Sequence, residues 1–551
     1  MAEKIIIYQL LPRLYSNTCS TCVAGGDAKT NGVGKMKDFN AARLKEIKSL
    51  GAAHVWYTGV IEHATTTDFS QHGIVPCNEH VVKGKAGSPY AIRDYYDIDP
   101  NIATVVEDRV KEWKLLVRRT HSAGLKVVMD FVPNHVAREY SSDAAPAGVE
   151  DLGANDNEGM FFSPTNNFFY ITWEKFNPSV DMGEGDKEYT EFPARATGND
   201  CYHATPSIND WYETIKLNYG VDPWNGSKHF DPIPPTWHKM LHILMYWAKT
   251  GVDAFRCDMA HMVPVEFWHW AIAQVKKQYP NIIFIAEIYD TALYRQYINY
   301  GLFDYLYNKV TLYDTLFNVL KYKTSARQIT QCWQQLDDIS DHMLNFLENH
   351  DELRLASPQF CGNAIMGRPA LVVSATLSRC PMLVYAGQEL GERGTDAEGF
   401  SGQDGRTTIF DFWSIPSLRK WFTGKSSSTA TELREYYSKV LTMCNAEGAI
   451  SNGSMFDLMY VNQHLHRQYA YLRHDDETLL LIVANFEDSE ANIDINIPYH
   501  AFECLNVQQG DYEGVELLAG NSSTMHLVCN MPLRVDIPAH DAVVWKFKLK
   551  K

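Results

Sequence analysis

The sequence has 551 residues, of which 45% are hydrophobic and 21% charged, so it is typical of a globular protein with a large buried core. Its net charge of −17 argues against nucleic acid and anionic membrane surfaces as partners. No run of 18 apolar residues is present, which excludes a transmembrane helix, and the N-terminal apolar run is short and interrupted by Gln9. Because that run does not resemble a signal peptide, we expect a cytoplasmic protein.

Strand-like runs alternate with helical periods through the first four fifths of the chain. Helical stretches such as 38–51, 105–124 and 235–251 each end at a glycine, as helix C-termini often do. Eight strands, most of them followed by a helix, indicate an α/β fold, a (β/α)8 TIM barrel. The predicted strands are 5–11, 53–58, 126–132, 252–258, 282–287, 303–307, 343–348 and 382–386.

One connection is far too long for a barrel loop. After the third strand, the chain is rich in Gly, Asn, Asp and aromatic residues with little regular period, which indicates an inserted domain. After about Gly448, short alternating strands indicate a C-terminal all-β sandwich. The expected parts are the barrel's first part at 1–135, the inserted domain at 136–235, the barrel's second part at 236–447 and the sandwich at 448–551.

Charged side chains follow four of the predicted barrel strands. A single charged residue after a strand is more often a helix cap than a catalyst. At the carboxyl end of a barrel strand, however, the inward face opens into the active site, so four such ends converge on one mouth. Arg256 and Asp258 share a face because side chains alternate along a strand. The converging residues are Asp130, Asn134 and His135, then Arg256 and Asp258, then Glu287, and finally His350 and Asp351.

This set of residues suits the cleavage of a glycosidic bond. A retaining glycosidase needs a carboxylate nucleophile and a carboxylic acid about 5–5.5 Å apart. Arg256 can keep Asp258 ionised by stabilising and orienting its charged form. Glu287 follows the apolar run IIFIA and lies near other carboxylates, and both conditions favour its protonated form.

Four segments, DFVPNH, DAFRCDMAH, FIAEIYD and FLENHD, resemble the four signature regions of the α-amylase family, glycoside hydrolase family 13, in order and spacing. The insertion and the C-terminal domain resemble that family's B and C domains. The resemblance implies a retaining hydrolase that cleaves α-1,4-glucosidic bonds of an α-glucan: starch, glycogen or maltooligosaccharides.

The resemblance also implies a role for each matching residue. Asp258 falls at the nucleophile, Glu287 at the acid/base, and Asp351 at the third carboxylate, which holds sugar hydroxyls. Arg256 then orients the nucleophile. The expected sugar-binding residues are His135 and His350, Tyr90 as the stacking tyrosine with Asp94 beside it, and Asp404 and Arg406 after the eighth strand. The alternative role of Tyr90 is packing, and the alternative role of Asp404 is to form a turn.

The chemistry requires no cofactor, but many relatives hold calcium between the B domain and the barrel. Asn134 matches the side-chain ligand of that site, whereas Met262 stands where the usual histidine would be, so calcium there is left open. A second calcium loop of bacterial relatives matches residues 27–38. Lys29 and Lys35 replace two of its oxygen ligands, and calcium needs oxygen donors. We expect no calcium in this loop, and we expect a lysine ammonium to pair instead with Asp27, Asp38 or a carbonyl of the loop.

Alternative functions stay open. A transglycosylase of the same family uses the same residues, and so does an enzyme directed at α-1,6 bonds or trehalose. A non-catalytic glucan-binding or transport subunit would lack the carboxylate triad, which this chain keeps.

The CxxC of Cys19 and Cys22 lacks the second pair of ligands that zinc requires, so the eleven cysteines are typical of reduced thiols. The sequence does not indicate an oligomeric state.

Overall fold

The computed structural model of this chain describes residues 4–549. None of the helices within these residues is both long and apolar enough to cross a membrane. The strands are β1 (Ile6–Leu10), β2 (His54–Tyr57), β3 (Ile61–His63), β4 (Ile92–Ile98), β5 (Lys126–Phe131), β6 (His135–Ala137), β7 (Tyr170–Ile171), β8 (Ala194–Arg195), β9 (Thr214–Lys216), β10 (Ala254–Cys257), β11 (Ile283–Ala286), β12 (Tyr305–Tyr307), β13 (Met343–Phe346), β14 (Met382–Tyr385), β15 (Ser454–Asp457), β16 (Gln468–His474), β17 (Thr478–Asn485), β18 (Ala491–Ile495), β19 (Gly510–Glu516), β20 (Ser522–Leu527), β21 (Leu533–Ile537) and β22 (Asp541–Lys548).

The α-helices of the described residues follow the predicted periods. The three stretches singled out in the sequence form α3, α4 and α5, and the glycine after each adopts a positive φ, which ends the helix. The α-helices are α1 (Pro12–Tyr15), α2 (Ala28–Asn31), α3 (Ala41–Ser49), α4 (Arg109–Ser122), α5 (Pro235–Ala248), α6 (Val265–Gln278), α7 (Tyr294–Asn299), α8 (Asp314–Lys321), α9 (Gln328–Leu336), α10 (Arg368–Thr376), α11 (Pro416–Phe422), α12 (Ser428–Ala446), α13 (Gly448–Ser451) and α14 (Tyr499–Cys504).

Eight parallel strands close into a barrel, in the ring order β1, β2, β5, β10, β11, β12, β13, β14. Each of the eight predicted strands overlaps one of these, so the (β/α)8 barrel is confirmed. Alternate side chains of β10 pack into two different cores, one inside the barrel and one between the barrel and its helices. Ala254 packs inside the barrel with residues such as Val128 and Ile285, whereas Phe255 and Cys257 pack in the core shared with the helices. Arg256 therefore points inward.

The long segment after β5 carries little regular structure. Its short strands pair locally, β6 with β9 and β7 with β8, all antiparallel. The register of the first pair sets His135 directly opposite Lys216. This pairing brings the inserted segment back against the carboxyl end of the barrel, where the candidate site lies.

The C-terminal part is all-β, as predicted. A six-stranded antiparallel sheet has the order β15, β16, β17, β22, β19, β20, and β18 pairs with β21 in a second sheet. The alternating stretch DLMYVN at 457–462 resembles a strand in the sequence but does not form one, because β15 ends at Asp457. The Asp457 carboxylate accepts hydrogen bonds from the Met459 N–H at 2.6 Å and from the Tyr469 hydroxyl at 2.8 Å, and the chain turns there.

Candidate active site

The buried guanidinium of Arg256 joins the carboxylates at the carboxyl end of the barrel. Its Nη1 lies 2.8 Å from Oδ1 of Asp258, and its Nη2 lies 2.8 Å from Oε2 of Glu287. Asp130 is the register partner of Arg256 on β5, and its Oδ1 lies 3.6 Å from Nη1 of the arginine. The Nε of Arg256 donates a hydrogen bond to the Tyr307 hydroxyl at 3.0 Å. Because the arginine side chain has no exposed surface, water does not screen its charge. One cation therefore holds two carboxylates side by side.

Burial dominates the protonation of Asp258. Burial and the neighbouring Glu287 carboxylate raise the pKa of Asp258 well above its ordinary value, although Arg256 opposes them. The pKa of Asp130 is also raised by burial and opposed by Arg256. Negative charge thus exceeds positive charge around the guanidinium. It follows that the nucleophile position becomes fully ionised only at a higher pH than an exposed aspartate would.

Glu287 is held by two hydrogen-bond donors and by its ion pair with Arg256. Beside the guanidinium of Arg256, the backbone N–H of Met259 donates to Oε2 at 2.9 Å, and the Tyr289 hydroxyl donates to Oε1 at 2.6 Å. Met259 adopts a left-handed backbone conformation, with φ of 41°, which turns its N–H toward the carboxylate. The carboxyl group therefore has a fixed orientation beside Asp258. The expectation that Glu287 carries the acid proton stays a prediction.

Asp351, His350 and Tyr90 form a second group on the same mouth. The Nε2 of His350 lies 3.0 Å from Asp351 Oδ2 and 2.7 Å from the Tyr90 hydroxyl, and Gln9 donates to its Nδ1 at 2.8 Å. Burial raises the pKa of Asp351, but the hydrogen bond with His350 and the nearby arginines outweigh it, so the pKa lies below its ordinary value. Asp351 is therefore an ionised acceptor at the cavity wall.

These residues surround a cavity of about 300 Å³. Five of the predicted site residues line it: Tyr90, His135, Asp258, Glu287 and Asp351. Arg256 and His350 are buried behind them and act through their hydrogen bonds. Sequence reasoning missed several lining residues, among them Lys83, Trp211, Glu213, Tyr289 and Phe410.

Three other predicted residues lie outside the cavity. Asp94 is buried, and its carboxylate accepts hydrogen bonds from the Ser142 hydroxyl at 2.6 Å and the Ala144 N–H at 2.9 Å. Asp94 thus anchors the start of the inserted segment and does not line the cavity. Arg406 forms an ion pair of 2.6 Å with Asp404 and approaches the Asp351 carbonyl at 3.5 Å, so this pair lies at the rim.

The loop at 27–38 is organised by its own side chains. The Asp27 carboxylate caps α2 by accepting from the Thr30 N–H at 2.8 Å, and Asp38 accepts from the Ser16 hydroxyl at 2.8 Å. The Lys35 ammonium donates to the carbonyl of Asn101 at 2.5 Å. Asn101 lies outside the loop, so Lys35 pairs with a different segment from the one predicted. The expectation that this loop binds no calcium stays a prediction.

The Asn134 side chain does not offer a free oxygen to a metal. It is fully buried, and its Oδ1 accepts a hydrogen bond from the ammonium of Lys216 at 2.5 Å. The same ammonium lies 3.3 Å from the Met262 carbonyl. Calcium binds through six to eight oxygen atoms at 2.3–2.6 Å, and a neighbouring ammonium repels it. The residues around Asn134 therefore do not fit a calcium ion.

Two family models match the chain. The model described as the alpha amylase catalytic domain matches residues 20–167 and 234–430, and the model of the alpha amylase C-terminal all-beta domain matches residues 460–548. The catalytic match is interrupted within the inserted segment. Among curated relatives, "Alpha-amylase 3" of Dictyoglomus thermophilum is 22% identical over 462 residues, covering 79% of this chain and 82% of its own.

A cyclomaltodextrinase of a Bacillus species is 23% identical over 416 residues, covering 73% of this chain and 61% of its own. Among solved structures, a maltogenic alpha-amylase from Thermotoga neapolitana superposes with a TM-score of 0.64 at 21% identity, with 99% of each chain covered. At this identity the structural likeness establishes the fold alone.

Proposed function

Because this chain belongs to the α-amylase family of glycoside hydrolases, we propose that it cleaves α-1,4-glucosidic bonds of starch, glycogen or maltooligosaccharides through a covalent glycosyl-enzyme. One observation carries the assignment of residues: a single buried guanidinium bridges Asp258 and Glu287 at 2.8 Å each. This bridge keeps two carboxyl groups close together on one wall, as a retaining mechanism requires.

In the first step, a carboxylate oxygen of Asp258 attacks the anomeric carbon. The bond from that carbon to the glycosidic oxygen breaks, and Glu287 gives its proton to the departing oxygen. The guanidinium of Arg256 supports both residues, because it orients Asp258 for attack and offsets the charge that develops on Glu287. Asp351 accepts hydrogen bonds from sugar hydroxyls, which strengthens binding in the distorted transition state.

In the second step, Glu287 removes a proton from water, and the water oxygen attacks the same carbon. The bond to Asp258 breaks, the carboxylate is restored, and the two inversions give net retention. His135 lines the cavity and binds sugar hydroxyls, and Tyr90 stacks against the sugar ring. His350, whose ring nitrogens are bound to Gln9, Tyr90 and Asp351, holds the last two in place. The stacked arrangement of Tyr90 and His350, with ring centroids 5.1 Å apart, keeps the tyrosine ring fixed in the cavity wall.

Covalent trapping tests the nucleophile. A fluorinated glycosyl fluoride should label Asp258, and the three carboxylates lie on different tryptic peptides, 257–276 for Asp258, 278–295 for Glu287 and 328–354 for Asp351. A label on 278–295 or 328–354 would overturn the assignment. Asp258→Asn should abolish turnover and labelling while oligosaccharide binding persists. NMR of the first product should show the α-anomer, and the β-anomer would contradict retention.

Leaving-group dependence tests the acid. Glu287→Gln should lose nearly all activity on starch, whose leaving group needs a proton. The same variant should keep far more first-step activity on a glucosyl fluoride, since fluoride departs without one. Equal losses on both substrates would contradict the role of Glu287. A wild-type protein that is inactive on both substrates yet binds the glucan would favour the alternative of a binding or transport subunit.

Product analysis decides between hydrolysis and its alternatives. Starch, glycogen, pullulan, maltotriose and trehalose are incubated side by side, and the products are separated by length and linkage. Reducing ends from α-1,4 bonds are the expected outcome. Products longer than the substrate would indicate transglycosylation, and cleavage confined to pullulan branch bonds or trehalose would indicate the other specificities.

We further propose that the enzyme works in the cytoplasm. All eleven cysteines carry free thiols, and none is paired within the described residues. A chain of this cysteine content suits a reducing compartment. Fractionation of the source cells with an activity assay tests this proposal.

A further inference from the structure

The ammonium of Lys216 lies at the junction of three segments. It is 2.5 Å from Oδ1 of Asn134 after β5, 2.8 Å from Oδ1 of Asp200 in the inserted segment, and 3.3 Å from the carbonyl of Met262 after β10. The residue is 6% exposed, so its charge is held inside the protein. One cation thus gathers a side-chain amide, a carboxylate and a backbone carbonyl from the barrel and the insertion.

We infer that the Lys216 ammonium replaces calcium as the cation that joins the inserted domain to the barrel. Asn134 is the residue that matches the calcium ligand of many relatives, and here its oxygen is bound by the ammonium. Calcium cannot share these oxygens with Lys216, because two cations a few ångströms apart in a buried site repel strongly. Met262 takes part through its carbonyl, which any residue supplies, so the missing histidine side chain has no consequence for this junction.

The placement of the charge suits a point-like cation. A lysine carries a compact ammonium on a flexible stem, with three donor hydrogens and no acceptor. Three oxygen acceptors match those three donors. The Asp200 carboxylate lies 2.8 Å from the ammonium and serves as its counter-ion.

The Lys216 ammonium also orients His135 in the cavity wall, through the side-chain amide of Asn134. Since Lys216 only donates, it must face the oxygen of the Asn134 amide, which turns the amide nitrogen the other way. That nitrogen donates to the Gly198 carbonyl at 2.7 Å and lies 3.1 Å from Nδ1 of His135. Nδ1 is then an acceptor, which leaves the proton of the neutral ring on Nε2. Lys216 is thus a positioning residue for His135, which lines the cavity.

Cation rescue tests this inference. In Lys216→Ala, the three oxygens lose their cation and a space opens beside them. We expect a lower midpoint of thermal unfolding and a kcat/KM reduced by about tenfold, the lower end of what a lost supporting contact costs at a metal site. Added calcium or methylammonium should restore part of both in this variant. A role in packing alone gives no rescue by cations, so an absence of rescue would overturn the inference.

Two further variants serve as controls. Lys216→Arg keeps a buried positive charge and should retain more stability than Lys216→Ala, with no response to calcium. Lys228→Ala removes a half-exposed lysine of the same segment, which pairs with Glu266, and should behave as the wild type. Lys216→Arg as unstable as Lys216→Ala would count against a charge-based role.

The wild-type enzyme provides the decisive measurement, which needs no assay of activity. Crystals grown with calcium should show no anomalous peak within coordination distance of Asn134 Oδ1. A peak there would overturn the inference, even if the proposed reaction were confirmed. Conversely, the wild-type protein could lack hydrolase activity and still show no calcium at this junction. That result would contradict the proposed function and leave the role of Lys216 intact.

Discussion

The hydroxyl of Tyr289 donates a hydrogen bond of 2.6 Å to Oε1 of Glu287. Both residues line the cavity, and the tyrosine follows the acid/base position by two residues. The other carboxylate oxygen is held by Arg256 and by the backbone of Met259. Tyr289 is therefore a neutral side-chain donor to Glu287, and it can be altered without removing a charge.

We expect Tyr289→Phe to lower kcat/KM on maltoheptaose by about tenfold, because Glu287 loses a hydrogen bond that fixes its orientation, and such a bond is worth about 1–1.5 kcal/mol. The measurement is kcat and KM on maltoheptaose. Tyr322→Phe, at an exposed tyrosine, is the control. An unchanged kcat/KM would show that Tyr289 does not act on Glu287.

The acid limb of the rate profile should report the ionisation of Asp258. Burial, with the neighbouring carboxyl group, raises the pKa of Asp258, and only its ionised form attacks. Activity on a glucosyl fluoride should therefore fall on the acid side well above the ordinary aspartate value of 3.8. The measurement is kcat/KM against pH on that substrate. An acid limb near the ordinary aspartate value would show that burial does not raise the pKa of Asp258.

Much of the barrel and its mouth could be predicted because both follow from local rules. Strand alternation placed Arg256 and Asp258 on one face, and parallel strands end at one edge, so their neighbours had to converge there. Tyr289 lies two residues beyond Glu287, past the end of β11 at Ala286, so strand alternation does not fix where its side chain points. Its contact with Glu287 depends on the path of the chain after the strand.

The inserted segment could not be predicted in the same way. The pairing of β6 with β9 sets Lys216 opposite His135, and Trp211 precedes β9. Pairings between such distant, short strands leave no period in the sequence. Asp94 shows the converse difficulty. Its position beside Tyr90 suggested a sugar contact, but its partners lie about 50 residues later, at Ser142 and Ala144. Long-range hydrogen bonds of this kind decide where a polar side chain points.

Trp211 should contribute to sugar binding more than to chemistry. It lines the cavity, and its ring centroid lies 5.2 Å from that of His135. A partly buried indole presents an apolar face on which a sugar ring can pack. We expect Trp211→Ala to raise KM by about tenfold with a smaller effect on kcat, since the lost contact acts equally on ground and transition states.

Two variants complete that measurement. Trp211→Phe should preserve most of the affinity, because an aromatic face remains. Trp173→Ala removes an 85% exposed tryptophan elsewhere in the inserted segment and should leave KM unchanged. A Trp211→Ala enzyme with normal KM on maltooligosaccharides of every length would exclude a sugar-binding role for this residue.

The stability of the protein should fall with rising pH because of Glu62. This side chain is 3% exposed, and burial, together with the carboxylates of Asp97 and Asp94, raises its pKa from 4.5 to about 9, although Arg93 opposes them. In the unfolded chain the group ionises near 4.5, whereas in the folded protein it keeps its proton up to about 9. Between these values the folded state binds more protons, so the free energy of unfolding decreases as pH rises.

Glu62→Gln removes this titration while keeping the shape of the side chain. The variant should resemble the wild type near pH 4.5 and become more stable than it toward neutral pH, by on the order of 3 kcal/mol, since each pH unit is worth about 1.4 kcal/mol. Denaturant midpoints measured across this range, with the exposed Glu158→Gln as control, test the difference. If Glu62→Gln is instead less stable than the wild type at neutral pH, the carboxylate is charged in the folded protein and its pairing with Arg93 outweighs the cost of burial.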